Sequence, residues 1–312
     1  MANDVGYWWT HTGWAYRPKD AREVMSVLGA IGVHNARQSF AWRGMSSADY
    51  RLTSSLQREL GDETTEAKMR SAEVELLSAA RDWGLGIGPG GYVDDLQLLA
   101  DLQHYGIATR LLDFTSNPMT ALWFACQSPK APGVAKSGVL LALNTTGMRQ
   151  VSTMSRGGTW GSMRNMGGST LEEALRDPAP FLVRSLAPND RLRAQEGFFV
   201  AGAVPEDRRG QEIVTPSGIT FRFTHLDPFA AIEVPWRKGD PEKLRASFLD
   251  DRQRGRPKDV PFVAVIIKAG LKAKLLRYLE NTYNRSARVL FPDYAGFLEF
   301  RSEPKSRGSV ED

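Results

Sequence analysis

The sequence has little cysteine and little histidine, and both shortages exclude classes of protein. One cysteine in 312 residues rules out a disulfide framework and favours a reducing compartment. Cys126 directly follows an apolar run at 121–125, so we expect it to be a buried small hydrophobe and not a nucleophile. The four histidines show no ligand spacing with one another or with the cysteine, so we expect no metal site.

Long apolar runs are also lacking. None approaches the ~20 residues needed to span a bilayer, and residues 1–5 do not form a basic segment that leads into an apolar core. We therefore expect a cytoplasmic protein without a membrane partner. The net charge of +4 slightly favours an anionic partner, but the densest basic segment, 252–258, contains Pro and Gly and no aromatic residue, so a solvated loop is the expectation there.

The composition that remains is ordinary for a globular protein, with 42% hydrophobic and 24% charged residues. Apolar spacing predicts helices at 20–31, 64–83 and 271–283, while caps predict further helices that begin after Asp94, at Pro118 and near Thr170. Runs of β-branched and aromatic residues predict strands at 39–44, 138–143, 198–204, 219–223 and 262–267. No internal repeat is visible, so a single α+β domain is expected.

Unusual polar chemistry is concentrated between residues 103 and 125. Residues 103–106 are QHYG, residues 109–118 are TRLLDFTSNP and residues 121–125 are ALWFA. Asn117 and Pro118 are typical of a helix start, because the side chain caps the helix and proline fits its first position. The polar residues before them should lie at the mouth of that helix.

Five blocks in this order resemble the FRG-domain family, which is named for an aromatic-Arg-Gly motif. They are FAWRG at 40–44, YRLTSSLQR at 50–58, the 103–125 segment, RLRAQEGFF at 191–199 and LFPDYAGF at 290–297. The resemblance covers about residues 35–300, with insertions near 145–168 and 236–260. It implies an aromatic and helical N-terminal extension at 1–34 and a flexible tail at 301–312. Ser54 and Phe114 depart from the family pattern, which commonly has proline and tryptophan there.

A second resemblance is to the arginine-serine-glutamate class of ADP-ribosyltransferases. In that class one strand ends in aromatic-Arg-Gly, a later strand ends in a Ser/Thr motif, and a helix with an Ala-x-x-Phe-Ala pattern follows. Residues 42–44, 111–116 and 121–125 are similar in order and spacing. The implied fold is an α+β single domain with an ADP-ribosyltransferase-like split antiparallel sheet and flanking helices. The implied activity is transfer of ADP-ribose from NAD, as a substrate and without a metal.

This resemblance implies roles for individual residues. Arg43 would bind phosphate or ribose oxygens with its planar fork, and Gly44 would let the ligand approach the backbone. The hydroxyls of Thr115 and Ser116 would hydrogen-bond ribose or nicotinamide, beside a helix end that favours phosphate. The full set implied for NAD binding is Arg43, Gly44, His104, Tyr105, Thr109, Arg110, Asp113, Thr115, Ser116 and Asn117.

The catalytic residues of that implied site are Arg43, Thr115 and a carboxylate near the ribose. The candidates for the carboxylate are Asp293, Glu196 and Asp113, and Asp293 is favoured. Structural alternatives remain open: Asp293 would cap the turn that follows, and Arg43 or Arg110 would form an ion pair with Asp113.

The leading hypothesis is an ADP-ribosyltransferase that modifies a nucleic-acid or protein acceptor. The proteins with which this family usually occurs imply a bacterial toxin or antiphage effector, with an antitoxin as partner. The alternative is a nucleotide- or nucleic-acid-binding sensor or adaptor without turnover. A nuclease-type hydrolase is disfavoured, because no metal-binding carboxylate cluster stands out.

Overall fold

A computed structural model of the chain describes most of the sequence, with gaps. The described residues are 6–9, 13–34, 38–50, 52–61, 63–88, 91–129, 136–152, 170–177, 180–185, 188–204, 212–214, 220–222 and 262–301. The helices are α1 Ala21–His34, α2 Ser55–Leu60, α3 Glu66–Asp82, α4 Asp95–His104, α5 Pro118–Cys126, α6 Thr170–Ala174, α7 Asp190–Ala194, α8 Ala269–Tyr283, α9 Ala287–Leu290 and α10 Tyr294–Phe300.

Nine strands form one open sheet, and two short hairpins stand apart from it. The strands are β1 Gly6–Trp9, β2 Gly13–Tyr16, β3 Phe40–Met45, β4 Ile87–Gly88, β5 Gly91–Tyr92, β6 Leu112–Thr115, β7 Gly138–Asn144, β8 Gln150–Ser152, β9 Phe181–Arg184, β10 Gly197–Ala201, β11 Glu212–Val214, β12 Thr220–Arg222 and β13 Phe262–Ile267. The sheet order is β1-β2-β13-β7-β3-β6-β10-β9-β8, while β4 pairs with β5 and β11 with β12. The architecture is therefore mixed α/β with flanking helices.

The sheet is mainly antiparallel, but two of its pairings are parallel. Strands β2 and β13 run parallel, as do β8 and β9, which corrects the expectation of a purely antiparallel sheet. The centre is firmly paired, since β7 matches β3 and β13 along six residue pairs each. By contrast, β3 and β6 share a single pair, Trp42 with Thr115, so the two strands separate beyond that point.

Helices cover one face of the sheet in two groups. Because side chains alternate along a strand, Phe199 of β10 lies on one face while Phe198 and Val200 lie on the other. On the first face, α1, α5 and α8 pack over β3, β7 and β13. On the same face, α3, α4 and α6 pack over β9 and β10. The boundary between the two groups falls where β3 and β6 separate.

Helix α5 lies unusually close to the sheet because two glycines face it. A Cβ atom on Gly44 would lie 1.8 Å from the carbonyl oxygen of Ala121, and one on Gly138 would lie 2.0 Å from that of Ala125. Such distances are far below van der Waals contact, so any side chain would push the helix away. Gly44 thus sets the helix–strand distance, and its expected role in backbone approach by a ligand stays a prediction.

The strongest local patterns are confirmed. Helix α1 contains the 20–31 pattern, α3 begins after the Thr65 cap, α4 after the Asp94 cap and α5 after the Asn117 cap. The strand predictions at 39–44, 138–143 and 262–267 are confirmed, with shifts of a residue or two at the ends. Several short elements were missed, because they are brief or interrupted by polar residues. They are strands β1, β2, β4, β5, β8, β9 and β11 and helices α2, α7, α9 and α10.

Several expectations concern the ends of the chain and the insertions. Residues 6–9 form an edge strand of the main sheet, residues 13–16 form the strand next to it, and α1 packs in its core, so the N-terminal segment continues the same architecture. The insertion at 236–260, the basic segment 252–258, most of 145–168 and the tail at 302–312 lie outside the described residues. Among the helices that the structure describes, none has the length and apolarity required to cross a bilayer.

Candidate functional site

A cavity of about 330 Å³ opens on the helical face, at the boundary between the two helix groups. Its base is formed by β3, β6 and β10, and its walls by α4, α5 and α7 together with Phe291. This volume is near the lower end of the range for small-molecule sites, about 300–1,000 Å³. The cavity therefore lies where the single pair between Trp42 and Thr115 lets the strands diverge.

Arg43 occupies the gap between the diverging strands. Its Nη1 donates to the backbone carbonyl of Asp113 at 2.5 Å and lies 3.8 Å from the carboxylate Oδ2 of the same residue. The guanidinium therefore satisfies a carbonyl that strand pairing leaves free. Burial lowers the pKa of Arg43, opposed by Asp113, while Arg58 lowers it further, yet an arginine remains charged at neutral pH. Nε is buried without a hydrogen bond, and Nη2 makes none with the described residues.

Asp113 presents a carboxylate to the same cavity. Its side chain is 64% exposed, and Oδ1 accepts a hydrogen bond of 2.7 Å from Nε2 of Gln103. The Oε1 of Gln103 accepts in turn from the hydroxyl of Thr109. This chain fixes the orientation of the carboxylate next to Arg43. Of the three candidate carboxylates, only Asp113 lines the cavity.

Thr115 lines the cavity, but its hydroxyl already has two partners. It donates to the carbonyl of Gln195 at 2.7 Å and accepts from the backbone N–H of Asn117 at 3.0 Å. The Ser116 hydroxyl donates to the carbonyl of Glu196 at 3.3 Å. The two hydroxyls thus join the end of β6 to the turn before β10, and Ser116 lies outside the cavity lining.

Asn117 and Glu196 form a neighbouring polar pair outside the lining. The Asn117 Oδ1 caps α5 by accepting from the backbone N–H of Met119 at 2.9 Å, so the helix end carries its own cap. Oε1 of Glu196 accepts from Nδ2 of Asn117 at 2.8 Å and from Nη2 of Arg285 at 2.7 Å. Glu196 also has a positive φ of 51°, so it forms a constrained turn. Both partners bind Oε1, and the side chain is 44% exposed; Glu196 is set apart from the predicted catalytic role by its position outside the cavity lining.

Arg110 and Thr109 face away from the cavity, which corrects their predicted place in the site. Arg110 binds both carboxylate oxygens of buried Glu73 at 2.5 Å and also Glu66 at 3.1 Å. The alternative of an ion pair between Arg110 and Asp113 is wrong, because Arg110 precedes β6 and binds carboxylates of α3 instead. Thr109 is fully buried and accepts a hydrogen bond from Leu111 N at 3.2 Å, so it supports the loop.

His104 and Tyr105 end α4 and point in different directions. His104 lines the cavity, and its side chain is 16% exposed. Burial, followed by the positive charge of Arg191, lowers the pKa of His104, while Asp293 and Asp101 oppose the shift. Tyr105 is 82% exposed and lies outside the lining, so it contributes no stacking surface within the cavity.

Arg191 lines the cavity although it is absent from the set of residues implied for NAD binding. Its Nε and Nη2 donate to the two carboxylate oxygens of Asp293 at 2.8 Å each, and its guanidinium lies 4.8 Å from the centre of the Phe291 ring. Asp293 also caps α10 by accepting from Gly296 N at 2.7 Å. The hydrogen bonds from Arg191 lower the pKa of Asp293 most. Asp293 therefore binds a residue of the cavity wall, Arg191, but does not line the cavity itself.

A weak sequence signal for Arg191 did exist. Arg191, Gln195 and Gly197 all belong to the 191–199 block of the FRG resemblance, and all three line the cavity. A Cβ on Gly197 would lie 2.6 Å from Leu192 Cδ1, so the Leu192 side chain would have to move to admit one. Charge alone could not reveal the role of Arg191, because its partner Asp293 is 102 residues away.

Comparison with protein families matches the FRG domain to residues 38–133. The match covers about a third of the chain, and the recognition of an FRG domain from sequence is confirmed over these residues. The matched segment supplies the cavity with Arg43, Asp113 and Thr115 and with the end of α4. The blocks at 191–199 and 290–297 lie beyond it. No curated protein and no solved structure matches the chain.

Titratable side chains near the cavity do not form a metal-binding group. Within the described part of the chain, no three or more His, Cys, Asp or Glu side chains are arranged to hold a metal ion. Cys126 is buried, and burial raises the pKa of its thiol to about 12. What the cavity brings together is two arginines, one histidine and one accessible carboxylate.

Proposed function

We propose that the protein is an ADP-ribosyltransferase that uses NAD as substrate and transfers ADP-ribose to a nucleic-acid or protein acceptor. The observation that carries the proposal is the convergence of Arg43, Thr115 and the Asp113 carboxylate on one cavity, at the point where the sheet divides. This local separation of β3 from β6 is also what supports a likeness to a split-sheet transferase, although the nine strands remain connected. The proposed role as a toxin or antiphage effector rests on the family resemblance.

Arg43 is suited to hold the phosphates or the ribose of NAD. Its Nη1 and the backbone carbonyl of Asp113 fix the plane of the guanidinium, and Nη2 is left for the ligand. A positioned guanidinium binds phosphate through short, charge-assisted hydrogen bonds. Because the group is already oriented, binding costs little additional side-chain entropy.

Asp113 takes the role of the catalytic carboxylate in this proposal, in place of Asp293. In the reaction the bond between nicotinamide and ribose C1′ breaks, its electron pair leaves with nicotinamide, and an acceptor nucleophile forms the new bond to C1′ while losing a proton. Negative charge near the ribose stabilises the oxocarbenium-like transition state, and the carboxylate can accept the proton. The bond from Gln103 leaves Oδ2 of Asp113 available for either task.

A nucleotide sensor without turnover is the second candidate, and specific contacts favour it. Arg191 holds Asp293, Arg285 and Asn117 hold Glu196, and the Thr115 hydroxyl bonds the backbone. These groups therefore strengthen the cavity walls instead of offering free catalytic functions. The accessible carboxylate of Asp113 is the feature of the cavity that favours a transferase over a binding protein.

Labelled NAD and cell extract distinguish the two functions. Wild type should transfer label to macromolecules, and Arg43→Ala should lose both NAD binding and transfer. Asp113→Asn should keep NAD binding but lower the transfer rate by about 100-fold or more, the usual effect of removing an acid–base group. Arg193→Ala is a matched control, because Arg193 is 64% exposed on α7 and lies outside the cavity lining.

Each alternative gives a different result in the same experiment. NAD binding by wild type without label transfer supports the sensor. Transfer that Asp113→Asn leaves unchanged would remove Asp113 from the mechanism, and loss of RNA without added NAD would indicate a nuclease. Thermal unfolding of every variant identifies losses that come only from misfolding.

A further inference from the structure

We propose that Arg191 is a second anion-binding residue of the cavity, and that Asp293 positions it, so that the ligand is a diphosphate-containing nucleotide contacted by Arg191 and Arg43 together. This inference deepens the proposed function and rests on its placement of a nucleotide in the cavity. It concerns binding, however, and needs no chemical step.

Arg191 is held in one orientation, but one of its three guanidinium nitrogens remains able to donate a hydrogen bond to a ligand. Nε and Nη2 bind Asp293, and the guanidinium lies over the ring of Phe291 at 4.8 Å. The third nitrogen, Nη1, makes no hydrogen bond with any residue that the structure describes, and it is not among the buried atoms that lack partners. Arg191 also lines the cavity, so Nη1 is accessible and can donate to a ligand.

The charge of Asp293 is shared, which leaves Arg191 attractive to anions. The carboxylate accepts from Gly296 N at 2.7 Å, and its Oδ2 lies 3.8 Å from Nε2 of His104. The backbone N–H of Gly296 and the imidazole of His104 also stabilise this carboxylate. Its negative charge is therefore shared among three groups, and it offsets the positive charge of Arg191 only in part. Asp293 therefore acts as a positioning residue, comparable to the carboxylates that orient ligand-binding side chains elsewhere.

The two arginines reach the cavity from separate walls. Arg43 belongs to β3, which forms part of the base, and Arg191 to α7, which forms one side. Each is held on one side by a fixed acceptor and offers a remaining terminal nitrogen, Nη2 and Nη1 respectively. A ligand that satisfies both must carry negative charge spread over several oxygens. A diphosphate provides this charge, whereas nicotinamide or an unphosphorylated nucleoside does not.

Calorimetric titration with ADP and with inorganic pyrophosphate tests the inference on the full chain. Arg191→Gln and Arg43→Gln should each weaken ADP binding by about tenfold or more, as expected for loss of a charge-assisted bond to phosphate. Arg193→Gln, on the same helix but outside the lining, should leave the affinity unchanged. Adenosine should bind weakly to all four proteins and should not respond to the substitutions.

Asp293→Asn tests the positioning role. Asparagine caps a helix as well as aspartate does, so α10 should keep its cap while Arg191 loses its bidentate partner. Affinity for ADP should fall severalfold because Arg191 loses its orientation, even though the substitution removes a negative charge from the neighbourhood of the anion. In Arg191→Gln the salt dependence itself should decrease. A merely structural role for Asp293 would change the melting temperature and leave the affinity of the folded protein unchanged.

The outcomes separate this inference from the proposed function. ADP binding that is equal in wild type, Arg191→Gln and Arg193→Gln would overturn it, as would failure of wild type to bind ADP or pyrophosphate at millimolar concentration. If Arg191→Gln does not fold, Arg191→Lys tests the geometry alone, because it keeps the charge but not the paired bonds to Asp293; ADP affinity equal to wild type in this variant would overturn the inference. Binding that depends on Arg191 without transfer from NAD would support the inference and reject the transferase.

Discussion

The guanidinium of Arg43 and the backbone carbonyl of Asp113 are joined by a hydrogen bond of 2.5 Å across the gap between two strands of the sheet. Strand pairing has already ended at Trp42 and Thr115, so a side chain replaces the missing backbone donor. The bond orients Arg43 and at the same time brings it within 3.8 Å of the Asp113 carboxylate. One contact thus maintains both the opening in the sheet and the arrangement of the candidate site.

Arg43→Lys should therefore separate charge from geometry. Lysine keeps the positive charge but presents one ammonium group, which cannot bond the Asp113 carbonyl and a phosphate with a planar fork. We expect NAD affinity to fall by about tenfold, measured by calorimetric titration. Arg58→Lys is the control, because Arg58 binds the carbonyl of Thr53 and lies outside the lining. Unchanged affinity in Arg43→Lys would mean that charge alone is required.

Gly44→Ala should destabilise the fold, because its Cβ would lie 1.8 Å from the carbonyl oxygen of Ala121. Moving α5 away from the sheet would cost about 1–3 kcal/mol or more, as for other overpacked positions. Gly29→Ala is a matched control: Gly29 lies in α1 with open space around its Cβ position, so alanine should stabilise by roughly 0.5–1 kcal/mol. Denaturant unfolding measures both changes, and equal effects would contradict the packing argument.

Glu73→Gln should be among the most destabilising single substitutions. Glu73 is buried and binds Arg110 through both carboxylate oxygens, so its loss leaves a buried guanidinium with only partial compensation from Glu66. Breaking such a pair costs about 3–5 kcal/mol. Glu75→Gln on the exposed side of the same helix should change the free energy of unfolding by less than about 0.5 kcal/mol. A small effect in Glu73→Gln would show that water enters and replaces the carboxylate.

Local features of the fold could be predicted from sequence because their causes lie within a few residues. Asn117 caps α5 through the N–H groups of Met119 and Thr120, and proline follows at the first helical position. Asp94 caps α4 in the same way. Such caps are set by neighbouring backbone atoms, so the residue types are sufficient evidence.

The candidate site could be predicted only in part, because its partners are distant along the chain. Arg43, singled out by its place in the aromatic-Arg-Gly motif, lines the cavity. Arg110 was placed in the NAD-binding set, with a pair to nearby Asp113 as the alternative, but its partner is Glu73, 37 residues away. Arg191 is likewise held by a carboxylate from α10. Which of several carboxylates pairs with which arginine depends on tertiary packing, and spacing in sequence does not reveal it.

His104 should make stability depend on pH between about 5 and 7. Burial, then the charge of Arg191, lowers its pKa below the ordinary value of 6.5, with Asp293 and Asp101 opposing. Below 6.5 the unfolded chain therefore binds more protons at this residue than the folded one, so stability is complete above pH 6.5 and decreases as pH falls below it. Asp293 does not obscure this range, because its pKa lies below 3.8 and its contribution is lost only at lower pH. We expect the melting temperatures of wild type and His104→Gln, measured from pH 8 to pH 5, to diverge on acidification, with a larger decrease for wild type. Parallel curves would show that His104 has the same pKa in the folded and unfolded states.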